Sequence, residues 1–369
     1  MRVIFVSEMR NPLTDASSTQ IMTKNLLYGF KNICESLIFA PIIENEKDIA
    51  PIVEHYKSLC DEIIPCKSLT KCHGTPLQML LTTVKSIVHF SKKRIPTRLF
   101  ELENYTLVSH SPSVDSILIC KKILKENKIR RYVQYWGDPY ALSLITPEEF
   151  YFKRIPDKWI EGTMHKSADK IVFGTKSLYD AEIKLFPKIK NKASFVEVSF
   201  NPESKDVQEN NKRITIGYFG NYYSNIRNIL PFYNAAKNIL DADFIICGNS
   251  DLKLSSTHNT KVLSRVSQND VAKLESNIDI VICILNKRGV QIPGKVFYQT
   301  NTNKDILVVL DGPMKDEIKH ELEESKRFLF CDNDECSITT ALKGIINCEP
   351  RNYDYSYYDP QKICTKIIE

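Results

Sequence analysis

Ile214-Thr215-Ile216-Gly217-Tyr218-Phe219-Gly220 is a β-branched and aromatic run that stops on a glycine. Such a run reads as a buried strand, and the glycine reads as the start of a turn. The loop Gly220–Asn225 then feeds a segment with helical spacing over Ile226–Leu240, where Pro231 must sit in the first turns because an interior proline would break the ladder. The same alternation repeats downstream. Asp243–Cys247 is a strand ended by Gly248, Asn269–Glu275 a short helix, and Ile278–Ile284 a strand. Ile306–Leu310 is a strand stopped by Asp311-Gly312, residues 315–324 are helical, and Phe328-Leu329-Phe330 opens another strand. Strands alternating with helices predict an α/β unit built on a parallel sheet.

Upstream, residues 199–212 read as a linker: Phe200-Asn201-Pro202 leads into a polar, charged stretch up to Arg213. Before it lies a first α/β series. Val3–Val6 and Ser36–Phe39 are strands flanking a helix over 17–30, whose stripe is Ile21, Met22, Leu26, Leu27 and Phe30. A helix over 77–90 follows Pro76. Tyr105–Ser109, Tyr132–Tyr135, Lys170–Phe173 and Ser194–Val198 are further strands, with helices over 113–125, 158–168 and 176–186 between them. A chain of 369 residues exceeds the size at which one core keeps growing. The expected division is 1–199, 200–350, and a tail 351–369 whose short helix over 360–368 packs back toward the N-terminal domain.

Charge and cysteine content narrow the classes. Charged residues make up 26% and the net charge is +5, which does not specify nucleic acid. The excess sits in residues 1–200, with 29 Lys/Arg against 22 Asp/Glu. Lys92-Lys93-Arg94, Arg98, Lys121-Lys122 and Arg130-Arg131 are its densest parts. A solvated face explains them, and so does peripheral contact with an anionic membrane surface or contact with a phosphate-bearing acceptor. Eleven cysteines form no dense disulfide framework, and Cys60, Cys66 and Cys72 lack a CxxC pair. Scattered thiols suit a reducing cytoplasm. The first residues read as a strand rather than a signal peptide, and no run reaches the roughly 20 apolar residues that span a bilayer.

Open α/β sheets bind ligands beyond the carboxyl ends of their strands, which selects three loops. In Gly220-Asn221-Tyr222-Tyr223-Ser224-Asn225-Ile226-Arg227, helix-start amides and a guanidinium suit phosphate, although an ordinary surface loop reads the same way. In Arg288-Gly289-Val290-Gln291-Ile292-Pro293-Gly294-Lys295, the glycines permit tight paths and Lys295 can neutralise a diphosphate; a plain turn is the alternative. In Trp136-Gly137-Asp138-Pro139-Tyr140, Trp136 can wall a sugar while Asp138 binds hydroxyls or acts as a base. The alternative there is a tryptophan in the core and an aspartate bonding its own turn. His110, at a strand end, suits an acceptor hydroxyl or backbone partners. Asn11, Thr14, Ser17 and Ser18 follow the first strand and can surround an acceptor. His165 reads as structural. HExxH, GxSxG, P-loop and GxGxxG patterns are absent.

These segments together resemble the GT-B glycosyltransferases, in particular the retaining group around family GT4 and its PGK-motif branch in capsular and cell-surface polysaccharide synthesis. The resemblance covers nearly the whole chain. It is carried by Ala168-Asp169-Lys170-Ile171-Val172-Phe173-Gly174-Thr175-Lys176, Ile216–Gly220, Arg227, Phe244-Ile245-Ile246-Cys247-Gly248 and Pro293-Gly294-Lys295-Val296-Phe297, in that order. It implies two Rossmann-like domains facing across a cleft. The N-terminal one would bind a glycan or lipid-linked acceptor and the C-terminal one a nucleotide-sugar donor. Arg227, Lys295 and Asp138 become the catalytic candidates. Gly220, Asn221, Tyr222, Gly248, Gly289, Gln291, Pro293, Gly294, Tyr298 and Gln299 become donor contacts. Asn11, Thr14, Ser17, Ser18, His110 and Trp136 become acceptor contacts. Cofactors and metal are not expected, because cationic side chains offset the diphosphate charge. The pattern departs from the family in two places. Tyr298 and Gln299 stand where glutamate and tyrosine are common, and Asn303-Lys304-Asp305 replaces Gly-Lys-Pro. A non-catalytic nucleotide-sugar or glycan-binding partner of an assembly complex is the alternative.

Overall fold

The computed structural model describes residues 1–12, 17–68, 95–111, 113–143, 151–204, 213–349 and 351–369. The helix expected over 77–90 and the basic cluster Lys92-Lys93-Arg94 lie outside them. The chain divides into two compact units, Met1–Val198 with Pro360–Glu369, and Ser199–Asp359. The tail therefore does not act as one segment: 351–359 belong to the second unit and 360–369 to the first.

In the first unit the elements run β1 (Arg2–Met9), α1 (Ser18–Ile33), β2 (Ser36–Ile43), α2 (Ile49–Tyr56), β3 (Glu62–Ile63), β4 (Cys66–Lys67), β5 (Thr106–Ser111), α3 (Val114–Glu126), β6 (Arg131–Trp136), α4 (Tyr151–His165), β7 (Lys170–Phe173), α5 (Lys176–Leu185) and β8 (Ala193–Phe195). The strand order is β3-β2-β1-β5-β6-β7-β8, with β4 pairing β2. The pairings are parallel: Val3 lies opposite Leu37 on one side and Thr106 on the other. With neighbours on both edges and helices on its faces, β1 must be apolar throughout, and Val3, Ile4, Phe5 and Val6 have no exposed surface. Phe5 packs on Phe30 of α1 at 5.7 Å between ring centroids and on Phe39 of β2 at 6.1 Å.

In the second unit the elements run β9 (Ile214–Phe219), α6 (Leu230–Asn238), β10 (Ala242–Cys247), β11 (Thr260–Leu263), α7 (Gln268–Ser276), β12 (Ile280–Ile284), α8 (Lys295–Tyr298), β13 (Asp305–Leu310), α9 (Lys315–Glu323), β14 (Leu329–Asp332) and α10 (Glu335–Ile346). Its parallel sheet has the order β11-β10-β9-β12-β13-β14. Ile216, Ile282, Leu307 and Val309 from the sheet meet Phe232, Ile338 and Leu342 from α6 and α10 in one buried cluster. The helix expected from Ile226 starts at Leu230 instead. Residues before it are held in a turn, with Ile226 and Arg227 both donating their N–H to the Tyr223 carbonyl. Pro231 then occupies the first helical turn, where its missing N–H costs nothing.

The chain returns to the first unit as α11 (Pro360–Ile368), which lies against α1. Gly29 makes the approach possible: a Cβ there would stand 2.3 Å from the Pro360 carbonyl and 2.5 Å from Cys364 Sγ. Ile363, Ile367 and Ile368 are buried. Arg131 donates to the carbonyls of Ile368 (3.0 Å) and Glu369 (2.6 Å).

Both sheets reverse their strand order once. In the first unit the reversal lies between β1 and β5, and in the second between β9 and β12. Loops leaving adjacent strands there diverge to opposite faces and open a crevice, the place where such sheets bind ligands.

Candidate functional site

The crevice of the second unit is bounded by the loops after β9 and β12. Gly220 leaves β9 with φ +153, in a region that side chains rarely enter. The neighbouring turn after β10 presses against it, since a Cβ on Gly248 would stand 2.0 Å from the Gly220 carbonyl oxygen. Gly220 N–H donates to the Cys247 carbonyl at 2.9 Å, and Asn249 N–H donates to Asn221 Oδ1 at 3.1 Å.

Arg227 bridges the crevice. Its Nη2 donates to Asn286 Oδ1 (2.7 Å), in the segment after β12, and its Nη1 to the Asn221 carbonyl (3.1 Å) and the Tyr218 hydroxyl (3.3 Å). Asn286 is fixed in turn by donating to the Gln291 carbonyl at 2.9 Å. These partners are neutral, Nε has no hydrogen-bond partner, and no carboxylate among the described residues pairs with this half-buried guanidinium. A positive charge is thus aimed and left uncompensated at the switch point. That arrangement suits a phosphate or diphosphate.

Lys295 is placed differently from the expectation. Its Nζ forms an ion pair with Glu275 Oε1 of α7 at 2.7 Å, and Gln299 Nε2 donates to the other oxygen of that carboxylate at 3.2 Å. Glu275 therefore occupies both side chains. Gly294 has an ordinary helical φ of −55, and no left-handed turn is needed there, whereas Gly289 at φ 75 does need it. Pro293 accepts the N–H of Val296 at 2.9 Å and so opens α8.

Two tyrosines expected at the donor are corrected. Tyr222 is 3% exposed and packs edge-on against Tyr218, and Tyr298 is 4% exposed. Both rings are buried. The Tyr298 carbonyl instead accepts from Asn201 N–H and Ser204 Oγ.

In the first unit, His110 lies one residue before the end of β5, beside the β1/β5 switch point. It is 4% exposed, with Nδ1 3.0 Å from Thr23 Oγ1 and 3.3 Å from Ser7 Oγ. Burial pulls its pKa down to about 4, so the ring is neutral near pH 7. Gly137 leaves room for Met22, whose Sδ would lie 2.8 Å from a Cβ there. Asp138 is half-buried in the bend after β6. Trp136 is corrected: it has no exposed surface and donates Nε1–H to Gln134 Oε1 at 3.2 Å, so it fills core rather than walling a sugar. Asn11 donates to Asp48 Oδ1 at 3.0 Å. Ser17 is the N-cap of α1, Ser18 is exposed in its first turn, and Thr14 lies outside the described residues.

Asn286 and Glu275 were not among the sequence candidates. Asn286 had a signal, its place just past the β12 strand. Glu275 had none, because its pairing with Lys295 crosses twenty residues and two elements.

No protein-family model matches the chain, and no curated protein matches it significantly. Solved structures do match. A sucrose-phosphate synthase from Thermosynechococcus elongatus aligns over 100% of this chain and 94% of its own, with a TM-score of 0.62 and 10% identity. Anabaena HepE, solved in complex with UDP and glucose, aligns over 100% and 96%, with a TM-score of 0.57 and 10% identity. The UDP-GlcNAc 2-epimerase from Neisseria meningitidis, solved with UDP-GlcNAc, aligns over 100% and 98%, with a TM-score of 0.54 and 11% identity. The fold is GT-B. The GT-B likeness runs the full length of the chain, with two parallel-sheet α/β units in one order.

Proposed function

We propose that this GT-B chain is a glycosyltransferase that takes a nucleotide sugar as donor and a hydroxyl of a glycan or lipid-linked precursor as acceptor. The observation that carries this reading is Arg227, an uncompensated guanidinium held by neutral oxygens between the loops after β9 and β12. As the sugar–phosphate bond breaks, negative charge grows on the leaving diphosphate. A preoriented guanidinium stabilises that charge more than it stabilises the ground state. Lys295 adds to it once its Nζ exchanges Glu275 for phosphate. The UDP complexes of Anabaena HepE and of the Neisseria epimerase are consistent with a nucleotide-sugar partner.

Several finer points belong to the same proposal. They are a GT4-like, PGK-type donor motif, retention at the anomeric carbon, a role in surface polysaccharide synthesis, and a site that needs no metal for the donor. The acceptor candidates are His110, Asn11, Ser17 and Ser18, with Asp138 as the candidate base. No helix among the described residues is long and apolar enough to cross a membrane. A cytoplasmic protein with peripheral contact at the inner membrane face is proposed on the basic first half of the sequence. One observation favours the second reading, nucleotide-sugar binding without transfer: Glu275 already neutralises Lys295.

The test is a donor panel with purified chain, reading nucleotide release and sugar transfer for wild type and Arg227→Ala. The substitution should lower kcat about 10²–10³-fold. Unchanged turnover by folded Arg227→Ala would remove the basis of the transferase reading. Tight donor binding with no turnover in the wild type would favour the second one.

A further inference from the structure

A second cluster lies inside the first unit, apart from every residue used above for donor or acceptor. Glu161 and His165 stand one turn apart on α4, at i and i+4, so both side chains leave the same face. Glu182 comes from α5, whose start is fixed by Thr175 accepting from Leu178 N–H. The three side chains are buried, with relative exposures of 0%, 1% and 0%. One ligand atom from each lies within 4.8 Å of the other two.

The hydrogen-bond inventory is unusual. Glu161 is partly satisfied: Oε1 accepts from Tyr140 N–H at 3.2 Å and Oε2 from Ala141 N–H at 2.9 Å. Neither ring nitrogen of His165 has a hydrogen-bond partner, and neither oxygen of Glu182 has one. Aromatic rings pack against His165, and Lys192 Nζ donates to its backbone carbonyl at 2.8 Å. Trp136 meets its ring edge-on at 4.8 Å between centroids, and Phe186 does so at 5.0 Å. A buried carboxylate without a partner, as Glu182 is, costs several kcal/mol, and a second carboxylate facing it adds repulsion. Something at the centre of this cluster must answer both carboxylates and the imidazole lone pair.

We infer that Glu161, His165 and Glu182 form a structural site for one divalent transition-metal ion of the zinc class. A divalent cation balances the charge of the Glu161 and Glu182 carboxylates. An imidazole among the ligands selects zinc and its neighbours over magnesium or calcium, which prefer oxygen alone. Glu182, with neither oxygen engaged, is free to bind the ion through one oxygen or both. Glu161 would then join two functions. It ligates the ion while its oxygens hold the N–H groups of Tyr140 and Ala141, in the loop that carries Asp138. The ion would thereby tie α4, α5 and that loop together. Donor-site chemistry makes no use of it.

The competing occupant is a proton on Glu182, and the two cases separate cleanly. The full chain, expressed in zinc-supplemented medium, is assayed for metal content and for thermal unfolding before and after dipicolinate treatment. About one zinc per chain is expected, with a lower Tm after stripping and recovery on adding zinc back. Glu182→Gln and His165→Gln should abolish stoichiometric binding. Glu182→Gln is the deciding variant, because glutamine copies a protonated Glu182. Loss of metal with a lowered Tm supports the site. A metal-free wild type whose Tm ignores chelator and zinc overturns it, and so does a Glu182→Gln protein as stable as wild type. The wild-type measurements hold even if a variant fails to fold.

Discussion

Arg227 and Lys295 carry the same formal charge, and their surroundings give them different readiness. Arg227 touches only neutral oxygens, while Lys295 is held by Glu275. A donor phosphate must therefore displace a carboxylate from Lys295 but nothing charged from Arg227. Glu275→Gln removes that competition. With Lys295 about one-third exposed, the pair is worth little more than a surface ion pair. Donor affinity, read by calorimetry, should tighten about two- to fivefold in Glu275→Gln. Weaker binding would mean that Glu275 positions Lys295 and Gln299 instead of restraining them. His110 makes a second residue-scale prediction. Its folded pKa, pulled down to about 4 by burial, lies below the ordinary 6.5. In that window the unfolded chain binds a proton that the folded chain refuses, so His110's contribution is complete above about pH 6.5 and lost as pH falls through 4. Urea midpoints should fall from pH 7 to pH 5, and the drop should be smaller in His110→Gln. An equal drop in that variant would assign the sensitivity to other groups.

Among the elements, what could be read from the sequence depended on burial. Val3–Val6, Ile216–Phe219 and Ile306–Leu310 are flanked by strands on both edges and announce themselves as apolar runs. β3 and β4 are two residues each, too short for any periodicity, and β11 at the sheet edge carries an exposed Lys261 in Thr-Lys-Val-Leu. Loop positions were legible because strand ends locate them. Side-chain fates were not, because a tyrosine such as Tyr222 fits either a ligand wall or a core. The contact between the two glycine turns at Gly220 and Gly248 belongs to this scale. Gly248→Ala would drive a methyl into backbone rather than into a yielding side chain. It should cost about 1–3 kcal/mol of stability and weaken donor binding, checked by denaturation and by nucleotide titration. A fully stable variant with native affinity would show that the turn can open freely.

For the whole molecule, two compact units each carry a parallel sheet and a core. Donor contacts proposed here lie in Ser199–Asp359 alone. Hydrogen exchange with and without nucleotide should then show protection concentrated after β9 and β12, around Gly220–Arg227 and Asn286–Lys295. Protection confined to the first unit would place the nucleotide elsewhere.

α11 is made after the whole second unit, yet Gly29 and α1 need it as a packing partner. At ribosomal speeds, about ten to thirty seconds separate Val198 from Pro360. The first unit to leave the ribosome is thus the last to be finished. During that interval α1 lacks the helix that packs on Gly29 and buries Ile363, Ile367 and Ile368, while the second unit, synthesised later, holds all of its own core segments in one continuous stretch.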